Sequence, residues 1–336
     1  MTDIAPSQSR RRALAALALP AITAAAAWPR IAGAQPAALP NKPMQIVVPF
    51  APGGQAEYFA RLLGAKLGAS LGVPVVIETR PGASTVIGAQ LVARAKPDGS
   101  MLLMTNGLTH TQLPQMRSNL PYDPQADFTP IALVMSAGNL LTAHPSVPAS
   151  NMQQLVAYAK ANPGKLRYAS IAPGSSSHLL AELLKMKAGI ELTHVPYKGA
   201  GDAARDLWAG EVQLMFDGMQ TAATALGAGR VRALGLAEPT RSPAFPDVPT
   251  LAEQGISGVD IPGFVGLFGP GGMPKPVVES LNTEILKALG SPDIVAAIEK
   301  SGNRPVRTTP EEFQRLLADQ TRRWGEVIRY IGLRLD

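Results

Sequence analysis

Short apolar runs and helical spacings alternate along the chain from residue 45 onward. Gln45 to Val48 is a compact β-branched run, followed by a Pro-Gly-Gly turn and by apolar residues at helical spacing from Phe59 to Leu67. This pattern predicts a strand, a glycine-rich turn and a helix. Two further strands are predicted at Val75 to Ile77 and Met101 to Met104, with a helical stretch from Val86 to Ala95 between them. Strands that alternate with helices predict an α/β fold with a largely parallel sheet.

The same pattern starts again in the middle of the chain and then gives way to helices. Leu166 to Ala169 predicts a strand that leads through a serine-rich turn into a helix. Leu192 to Val195 and Val212 to Phe216 predict two more strands. The tail predicts only helices, without intervening strands, and we expect them to pack on the first domain. They cover Pro276 to Leu289, Pro292 to Lys300 and Thr309 to Tyr330.

The N-terminus has the pattern of an export signal. Arg10-Arg11-Arg12 precedes an apolar stretch from Ala13 to Trp28, and Ala32-Gly33-Ala34 matches a small-residue cleavage site. We expect cleavage after Ala34, and the paired arginines resemble a twin-arginine signal. The alternative of a membrane anchor is disfavoured, because the stretch contains Pro20 and is shorter than the roughly 20 apolar residues that span a bilayer.

Length, charge and cysteine content narrow the classes of protein. A single core stops growing at roughly 250 to 300 residues, so 336 residues predict two domains with a cleft between them. The chain has no cysteine, which excludes disulfides, thiolate metal sites and a cysteine nucleophile. Its net charge is +6, of which the first 34 residues, with four arginines and one aspartate, supply +3. The remaining +3 is too little to indicate a nucleic-acid partner.

Five loops follow predicted strands and are candidates for a ligand site. Ligands of open α/β sheets bind outside the carboxyl ends of the strands, so these loops should meet. Two of them, after Gly54 and after Gly174, open directly into helices, and free amides at a helix start favour an anion. The loops are Pro49 to Glu57, Thr105 to His110, Ser170 to His178, Tyr197 to Gly201 and Asp217-Gly218.

Each candidate also has a simpler interpretation. The Gly53-Gly54 pair is also what a tight strand-to-helix turn needs, and the phosphate-binding glycine motifs are absent from the sequence. The serines before His178 suggest a hydrolase, but the loop lacks the G-x-S-x-G pattern, and such serines more often cap a helix. Asp217 suits a ligand contact or a turn equally, and Lys198 either meets an acidic ligand or is a solvated lysine. The four histidines lack metal-ligand spacing, so we expect no metal.

Several motifs together resemble one known family. They are Pro49-Phe50-Ala51-Pro52-Gly53-Gly54 with Ala60-Arg61, Gly174-Ser175 with His178-Leu179, Val195-Pro196-Tyr197-Lys198-Gly199, Met215-Phe216-Asp217, and Pro246-Asp247-Val248-Pro249-Thr250. As a set they resemble the Bug family, the extracytoplasmic solute receptors of tripartite tricarboxylate transporters. The resemblance runs from about residue 42 to the C-terminus.

The resemblance implies a two-domain periplasmic-binding-protein fold of the type II, Venus-flytrap kind, with mixed, mostly parallel sheets. Residues 42–137 would form the first part of domain 1, 138–261 domain 2, and 262–336 the return to domain 1. Two crossover strands are expected near Ile131 to Leu141 and Gly263 to Gly269. The expected function is capture of a small organic acid in the cleft, without cofactor or catalysis. The expected partners are transporter subunits or a sensor protein, and we expect a periplasmic monomer.

In such receptors loop amides, hydroxyls and ordered water hold one carboxylate of the ligand. The residues expected to bind it are Phe50, Ala51, Gly53, Gly54, Gln55, Glu57, Thr105, Asn106, Gly107, Thr109, Ser170, Gly174, Ser175, Ser176, Ser177, His178, Lys198, Gly199 and Asp217.

The sequence departs from the family where it bears on the ligand. Glu57 stands where the family usually has Asp, and its extra methylene suits either a shorter ligand or one with an amine. Phe50 and Leu108 near the cleft suit an aromatic or longer acid. A hydrolase built on Ser175, Ser177, His178 and Asp217, and an orphan receptor that serves a sensor, are the alternatives.

Overall fold

A computed structural model of the 336-residue chain describes residues 1, 2, 39 and 41–335. The helices and strands given below all belong to the unit Pro36–Asp336, which contacts separate from the segment before it. Apart from its first two residues, the predicted export signal lies outside the described residues. Within those described residues, no helix combines the length and apolar character needed to cross a membrane.

A six-stranded sheet is built from both ends of the second unit. Its strands are β1 (Met44–Val48), β2 (Val75–Thr79), β3 (Met101–Asn106), β4 (Phe128–Ala137), β10 (Gly263–Pro270) and β11 (Arg304–Pro305). Their order is β11-β4-β10-β3-β1-β2. β1 pairs in parallel with β2 and β3, whereas β10 runs antiparallel between β3 and β4.

A five-stranded sheet is built from the middle of the chain. Its strands are β5 (Asn139–Ala143), β6 (Arg167–Ser170), β7 (Thr193–Pro196), β8 (Leu214–Gly218) and β9 (Arg232–Leu236). Their order is β7-β6-β8-β5-β9, with β6 parallel to β7 and β8, and β5 antiparallel to β8 and β9. In both sheets each parallel strand is followed by a helix or a helical turn.

In the described part of the chain, ten α-helices flank the two sheets. A 3-10 turn, Ala83–Thr85, precedes the second helix, and a π-helical turn, Leu108–Gln112, precedes the third. The helices are α1 (Gln55–Leu71), α2 (Val86–Ala93), α3 (Leu113–Met116), α4 (Met152–Ala161), α5 (Ser176–Ala188), α6 (Ala200–Ala209), α7 (Met219–Gly227), α8 (Lys275–Leu289), α9 (Pro292–Lys300) and α10 (Pro310–Ile331).

The first strand shows why its sequence is apolar without alternation. Successive side chains of a strand point to opposite faces of the sheet. Ile46 and Val48 join one core cluster with Phe59 of α1, whereas Val47 belongs to the core on the other face. Because helices cover both faces, each of these positions is buried and an apolar residue is favoured at each.

The last helix closes the fold and begins with a capping box. Glu312 N donates to Thr309 Oγ1 at 3.1 Å, and Thr309 N donates to Glu312 Oε2 at 2.9 Å. Phe313 and Trp324 on its inner face are fully buried in the core cluster that contains residues of both sheets. The amphipathic spacing therefore packs α10 against the six-stranded sheet, as the sequence predicts, and also brings it into contact with α5.

Two sequence expectations need correction. The tail is not free of strands, because the short β11 pairs with β4 between α9 and α10. A two-residue strand that contains a proline gives no periodic signal, and proline is tolerated there because β11 is an edge strand. The segment 131–141, expected as one crossover strand, is two strands in different sheets separated by Gly138. A Cβ on Gly138 would lie 2.2 Å from Met219 Cε, so a larger residue at this turn would require the Met219 side chain to move.

The chain crosses between the sheets at Gly138 and returns between Leu236 and Gly263, and polar contacts join the sheets beside the first crossing. Arg304 Nη2 forms an ion pair with Glu238 Oε2 at 2.9 Å. Asn303 Oδ1 accepts a hydrogen bond from the Gly138 amide at 3.3 Å. Desolvation raises the pKa of Glu238 to about 7, and Arg304 partly opposes this effect.

Candidate functional site

The loops that follow β1, β2 and β3 lie against one another at the carboxyl edge of the six-stranded sheet. A Cβ placed on Gly88, near the start of α2, would lie 2.8 Å from Pro49 Cβ and 2.9 Å from the Arg80 carbonyl oxygen. Thr109 Oγ1, in the turn after β3, donates to Thr85 Oγ1 at 2.9 Å. The three loops therefore form one continuous surface.

Glu57 places its own carboxylate in the turn between β1 and α1. Its Oε2 accepts a hydrogen bond from the Gly53 amide at 2.7 Å, and its Oε1 accepts one from Arg61 Nε at 2.9 Å. The hydrogen bonds from Gly53 and then from Arg61 hold the pKa of Glu57 below its ordinary value. An ionised carboxylate of the protein thus stands at the predicted site.

The other predicted residues of this turn differ in exposure. Phe50 is half-buried and packs against the core beneath α1, and Gln55 is half-buried. Ala51, Gly53 and Gly54 are exposed. A Cβ on Gly53 would touch nothing within 4 Å, so the turn faces open space with room for a ligand.

Three threonine hydroxyls form a buried chain under these loops. Thr105 Oγ1 lies 2.6 Å from Thr109 Oγ1, and the chain continues to Thr85. All three side chains are buried. The two predicted residues beside them serve the backbone: Asn106 Oδ1 accepts from the Leu108 amide at 3.1 Å, and the Gly107 carbonyl accepts from a neighbouring threonine. Thr105 and Thr109 are thus brought together, with Thr85 as a third member that the sequence did not suggest.

The segment that carries Thr85 has a strained backbone. Ala83, Ser84 and Thr85 have φ angles of 47°, 55° and 82°, in the left-handed region that favours glycine. Three consecutive residues of this kind persist only where surrounding contacts hold them, and such strain concentrates at functional sites. This strain therefore agrees with the site predicted at this edge.

The serine-rich loop after β6 is held by its own hydroxyls. Ser177 Oγ accepts from the Ile171 amide at 3.1 Å, and Ser175 Oγ donates to the Ala172 carbonyl at 2.7 Å. The two hydroxyl oxygens lie 2.9 Å apart. Because both side chains are used within the loop, they shape the start of α5.

Two histidines stack beneath this loop. The rings of His178 and His194 are 4.0 Å apart and nearly parallel. His178 Nδ1 accepts from the Gly174 amide at 3.0 Å, and Ser170 Oγ lies 2.7 Å from His194 Nε2. Burial, and then the neighbouring His194, lower the pKa of His178 to about 4. The ring is therefore neutral at pH 7 and supports the loop.

Four helices that directly follow a parallel strand begin without a side-chain cap. They are α1, α5, α6 and α7, which start after Gly54, Ser175, Gly199 and Gly218. Among the other helices, α4 and α10 carry capping side chains, whereas α2, α3, α8 and α9 also begin without one. At the start of α5 the amides of the first three residues, 176–178, have no acceptor among the described residues. Free amides and the positive end of the helix dipole favour an anion.

Asp217 and Lys198 have different surroundings. Asp217 is the next-to-last residue of β8 and is buried, and this desolvation raises its pKa to about 6. Lys198 is exposed, and no described residue forms an ion pair with it. A Cβ on Gly199 or Gly218, beside them, would touch nothing within 4 Å. The loops after β7 and β8 therefore also border open space.

One hydrogen bond joins the loops of the two sheets. Gln112 Nε2, at the end of the π-helical turn after β3, donates to Ser176 Oγ at 3.0 Å. In addition, a Cβ on Gly174 would lie 2.4 Å from Met116 Sδ, so α3 packs on the loop before α5. The predicted residues of the two sheets thus meet through Gln112 and Met116, which the sequence did not single out.

The arrangement lacks the contacts that a serine hydrolase needs. A nucleophilic serine requires a hydrogen bond to its base, yet His178 bonds to the Gly174 amide and neither Ser175 nor Ser177 reaches it among the described contacts. In the described part of the chain, no group of three metal-ligating side chains is present. What the arrangement offers is amide and hydroxyl donors around open space.

A cavity of about 400 Å³ lies elsewhere, at the amino ends of β6 and β8. Lys165, Arg167 and Glu211 are among its lining residues, and none of the predicted site residues lines it. Ligands of open α/β sheets bind at the opposite edge, so this cavity does not change the placement of the site.

Three residues of the site region were not predicted from the sequence. Thr85 stands at the helix-capping position after a Pro-Gly turn, a signal that was present but weak. His194 lies in a strand whose apolar neighbours conceal its contact with Ser170. Gln112 gave no signal, because a single glutamine within a helical stretch is ordinarily a surface residue.

Comparison with known proteins gives concordant matches. A family model described as "Tripartite tricarboxylate transporter family receptor" matches residues 59–333. A UPF0065 protein of Pseudomonas sp. strain P51 is 38% identical over 95% of this chain and 94% of its own length. Protein BugT of Bordetella pertussis is 34% identical over 96% of this chain and 98% of its own length.

Solved structures share the fold. A Rhodopseudomonas palustris protein determined with adipate superimposes with a TM-score of 0.77 at 34% identity, over 88% of this chain and 99% of that one. MatC from the same organism, determined with bound malate, gives a TM-score of 0.73 at 34% identity, over 86% of this chain and 99% of that one. The predicted α/β periplasmic-binding-protein fold is confirmed by these matches.

Proposed function

Because this chain belongs to the tripartite tricarboxylate transporter receptor family, we propose that it captures a small organic acid between the carboxyl edges of its two sheets. Membership confirms the resemblance to Bug proteins and makes the chain a receptor with a periplasmic solute-binding fold, not an enzyme. The ligand class, the binding residues and the partner are the proposed parts. We also propose the division into residues 42–137, 138–261 and 262–336.

The observation that carries the proposal is the uncapped start of α5. Three consecutive amides there have no acceptor among the described residues, and Ser175 and Ser177 form hydrogen bonds within the loop before α5. A carboxylate oxygen accepts several such hydrogen bonds at once, which is how helix starts bind anions. The 19 residues predicted from the sequence lie at or just after the carboxyl ends of β1, β3, β6, β7 and β8.

The proposed ligand is a dicarboxylate or a related acid. Two structural relatives were determined with adipate and with malate, which share two carboxylates and differ in length and in a hydroxyl. A ligand that touches both sheets stabilises their closed arrangement by the contacts that it makes only there. Binding energy is then used for closure, and no reaction follows.

A membrane transporter is the proposed partner, with a sensor protein as the alternative. Both would recognise the closed, loaded receptor. Export by the segment 1–34, cleaved after Ala34, would bring the receptor to the periplasm. Deleting the gene and measuring uptake of the identified acid distinguishes the two, because loss of a sensor changes expression of transport genes and leaves existing transport intact.

A thermal-shift screen tests the proposed function. Protein purified from the periplasm is heated with C3 to C8 mono- and dicarboxylates, amino acids, and aromatic acids and their amides. A compound that binds the folded state raises the melting temperature as its concentration exceeds the dissociation constant. We expect a shift with one class of acid, and mass spectrometry should find that acid unchanged. Conversion of the acid, or a shift with none of the panel even after removal of co-purified ligand by refolding, would contradict the proposal.

A further inference from the structure

Gln112 connects the turn after β3, in the six-stranded sheet, to the proposed ligand-binding turn before α5 of the other sheet. It ends the π-helical turn Leu108–Gln112, and its side chain is buried, with only 2% of the residue exposed. Its Nε2 donates to the hydroxyl oxygen of Ser176, the first residue of α5, at 3.0 Å. Turns of π-helix are rare and occur often at functional sites.

The direction of this hydrogen bond determines what Ser176 can do. A serine hydroxyl has one proton to donate and two lone pairs that accept. Because the amide nitrogen of Gln112 is a donor, the Ser176 oxygen accepts and its proton remains available. No described residue accepts that proton. The proton therefore joins the free amides of the same helical turn as a donor for an anion.

The segment that carries Gln112 is itself fixed from the other side. The Met116 carbonyl accepts from the Leu335 amide at 3.0 Å, and the Gln115 carbonyl accepts from Arg334 Nη1 at 2.9 Å. Met116 packs against Gly174, whose φ of 77° places it in the left-handed region. The C-terminal residues, α3 and the turn before α5 thus form one continuous set of contacts.

We propose that Gln112 is a positioning residue that aims the Ser176 hydroxyl at the ligand carboxylate, and so makes anion binding at α5 depend on contact between the two halves of the receptor. This inference rests on the proposed function, since it assigns a role within the same site. When the halves separate, Gln112 leaves Ser176, and the hydroxyl is free to rotate toward water. The ligand then loses a fixed donor, so its affinity is higher for the closed arrangement.

A double-mutant cycle with Gln112→Leu and Ser176→Ala tests the coupling. Titrations use adipate and malate as separate probes. A hydrogen bond to a charged group contributes enough that each single variant should weaken binding by about tenfold. The double variant should bind no more weakly than either single one, because both changes remove the same donor. Gln112→Glu should weaken binding further, since a carboxylate accepts the Ser176 proton and repels the ligand.

Two variants separate positioning from a general structural effect. Ser176→Thr keeps the hydroxyl and should restore most of the affinity. Gln115→Leu makes the same chemical change one turn away, beside α10, and should bind like the wild type. Unfolding in urea without ligand should give similar stabilities for Gln112→Leu and Gln115→Leu.

The outcomes distinguish this inference from the proposed function. A wild type that binds neither probe nor any other acid overturns both. A wild type that binds, with effects of Gln112→Leu and Ser176→Ala that simply add, overturns only the role of Gln112.

Because the chain has no cysteine, spin labels placed through Arg94→Cys and Lys160→Cys can report the separation of the halves directly. In the loaded protein, Gln112→Leu should broaden that distance distribution, and an unchanged distribution would contradict the coupling.

Discussion

The Glu57 carboxylate accepts a hydrogen bond from the Gly53 amide at 2.7 Å, so the turn before α1 already holds an anion of the protein. The corresponding turn before α5 holds none. The two helix starts that the sequence treats as equivalent therefore differ in charge. Both helix starts have amides without an acceptor among the described residues, but a ligand at α1 also meets the Glu57 carboxylate, which suits a donor such as a hydroxyl or an amine at that end.

Replacing the charge of Glu57 tests this difference. Glu57→Gln keeps an acceptor of the same size but removes the negative charge that repels a second carboxylate. We expect adipate to bind a few-fold more tightly and aspartate, which carries an amine, to bind more weakly. Isothermal titration at low salt measures both.

Arg61→Gln provides the control for Glu57, because it removes the partner of the carboxylate and leaves the carboxylate in place. Arg61→Gln should therefore weaken the binding of adipate and strengthen the binding of aspartate. If Glu57→Gln changes neither affinity, Glu57 serves only to shape its turn.

The pH dependence of binding should report Asp217. Burial raises its pKa to about 6, so it is ionised at pH 8 and mostly neutral at pH 5. An anion bound nearby favours the neutral form, so affinity for a dicarboxylate should rise by up to about tenfold as the pH falls from 8 to 6. Asp217→Asn should make the profile flat over this range. A profile that keeps its slope in Asp217→Asn would place the titrating group elsewhere.

The strained segment before α2 makes a prediction about stability. Ser84 is exposed with a φ of 55°, a conformation that costs an L-residue about 1 kcal/mol more than glycine. Ser84→Gly should therefore raise the free energy of unfolding in urea by about that amount. Ala223→Gly, at an exposed position within α7, should lower it by about 1 kcal/mol. A loss of stability in Ser84→Gly would show that its side chain makes a stabilising contact.

The ion pair beside the crossing at Gly138 gives the fold a dependence on pH. Desolvation raises the pKa of Glu238 from 4.5 to about 7, so the folded state binds the proton more strongly than the unfolded state. This contribution to stability is complete below pH 4.5 and is lost as the pH rises through 7. Glu238→Gln removes the titrating carboxyl group. The free energy of unfolding of this variant, measured relative to the wild type, should rise by about 2 kcal/mol between pH 5 and pH 8.

Asp98→Asn is the control for Glu238. Hydrogen bonds from Lys42 and Ser100 lower the pKa of Asp98 to about 2. The contribution of ionised Asp98 to the stability of the fold is therefore lost only as the pH falls below 3.8. The difference between Asp98→Asn and the wild type should stay constant from pH 5 to pH 8. Chemical unfolding at four pH values measures both variants, and a constant difference for Glu238→Gln would show that Glu238 is ionised throughout.

Periodicity predicted the regular elements well because burial enforces it. The strand expected at Gln45 to Val48 is β1, and the helix expected at Pro292 to Lys300 is α9 with the same bounds. In each case a continuous or amphipathic apolar pattern reports the faces that a sheet or helix must bury. The alternation of such elements was enough to predict the fold class.

Contacts between distant segments could not be predicted in the same way. The hydrogen bond from Gln112 to Ser176 joins residues 64 positions apart. The sequence around neither residue indicates that the other is its partner. The left-handed backbone at Ala83 to Thr85 contradicts local preference, so only the packed fold can impose it. The sequence identified Glu57 as a candidate site residue. Its hydrogen bond with the Gly53 amide could be identified only from the geometry of the turn.

The position of β10 has a consequence for synthesis. β4 is joined to β3, β1 and β2 only through β10, which lies between β3 and β4 although it is made more than 120 residues later. All five strands of the other sheet lie between residues 139 and 236, so all of them are translated before β10. Until β10 emerges, β3 and β4 expose unpaired edges of the kind that invite aggregation. The sheet whose first strands are translated first is therefore the sheet that receives its last strands latest.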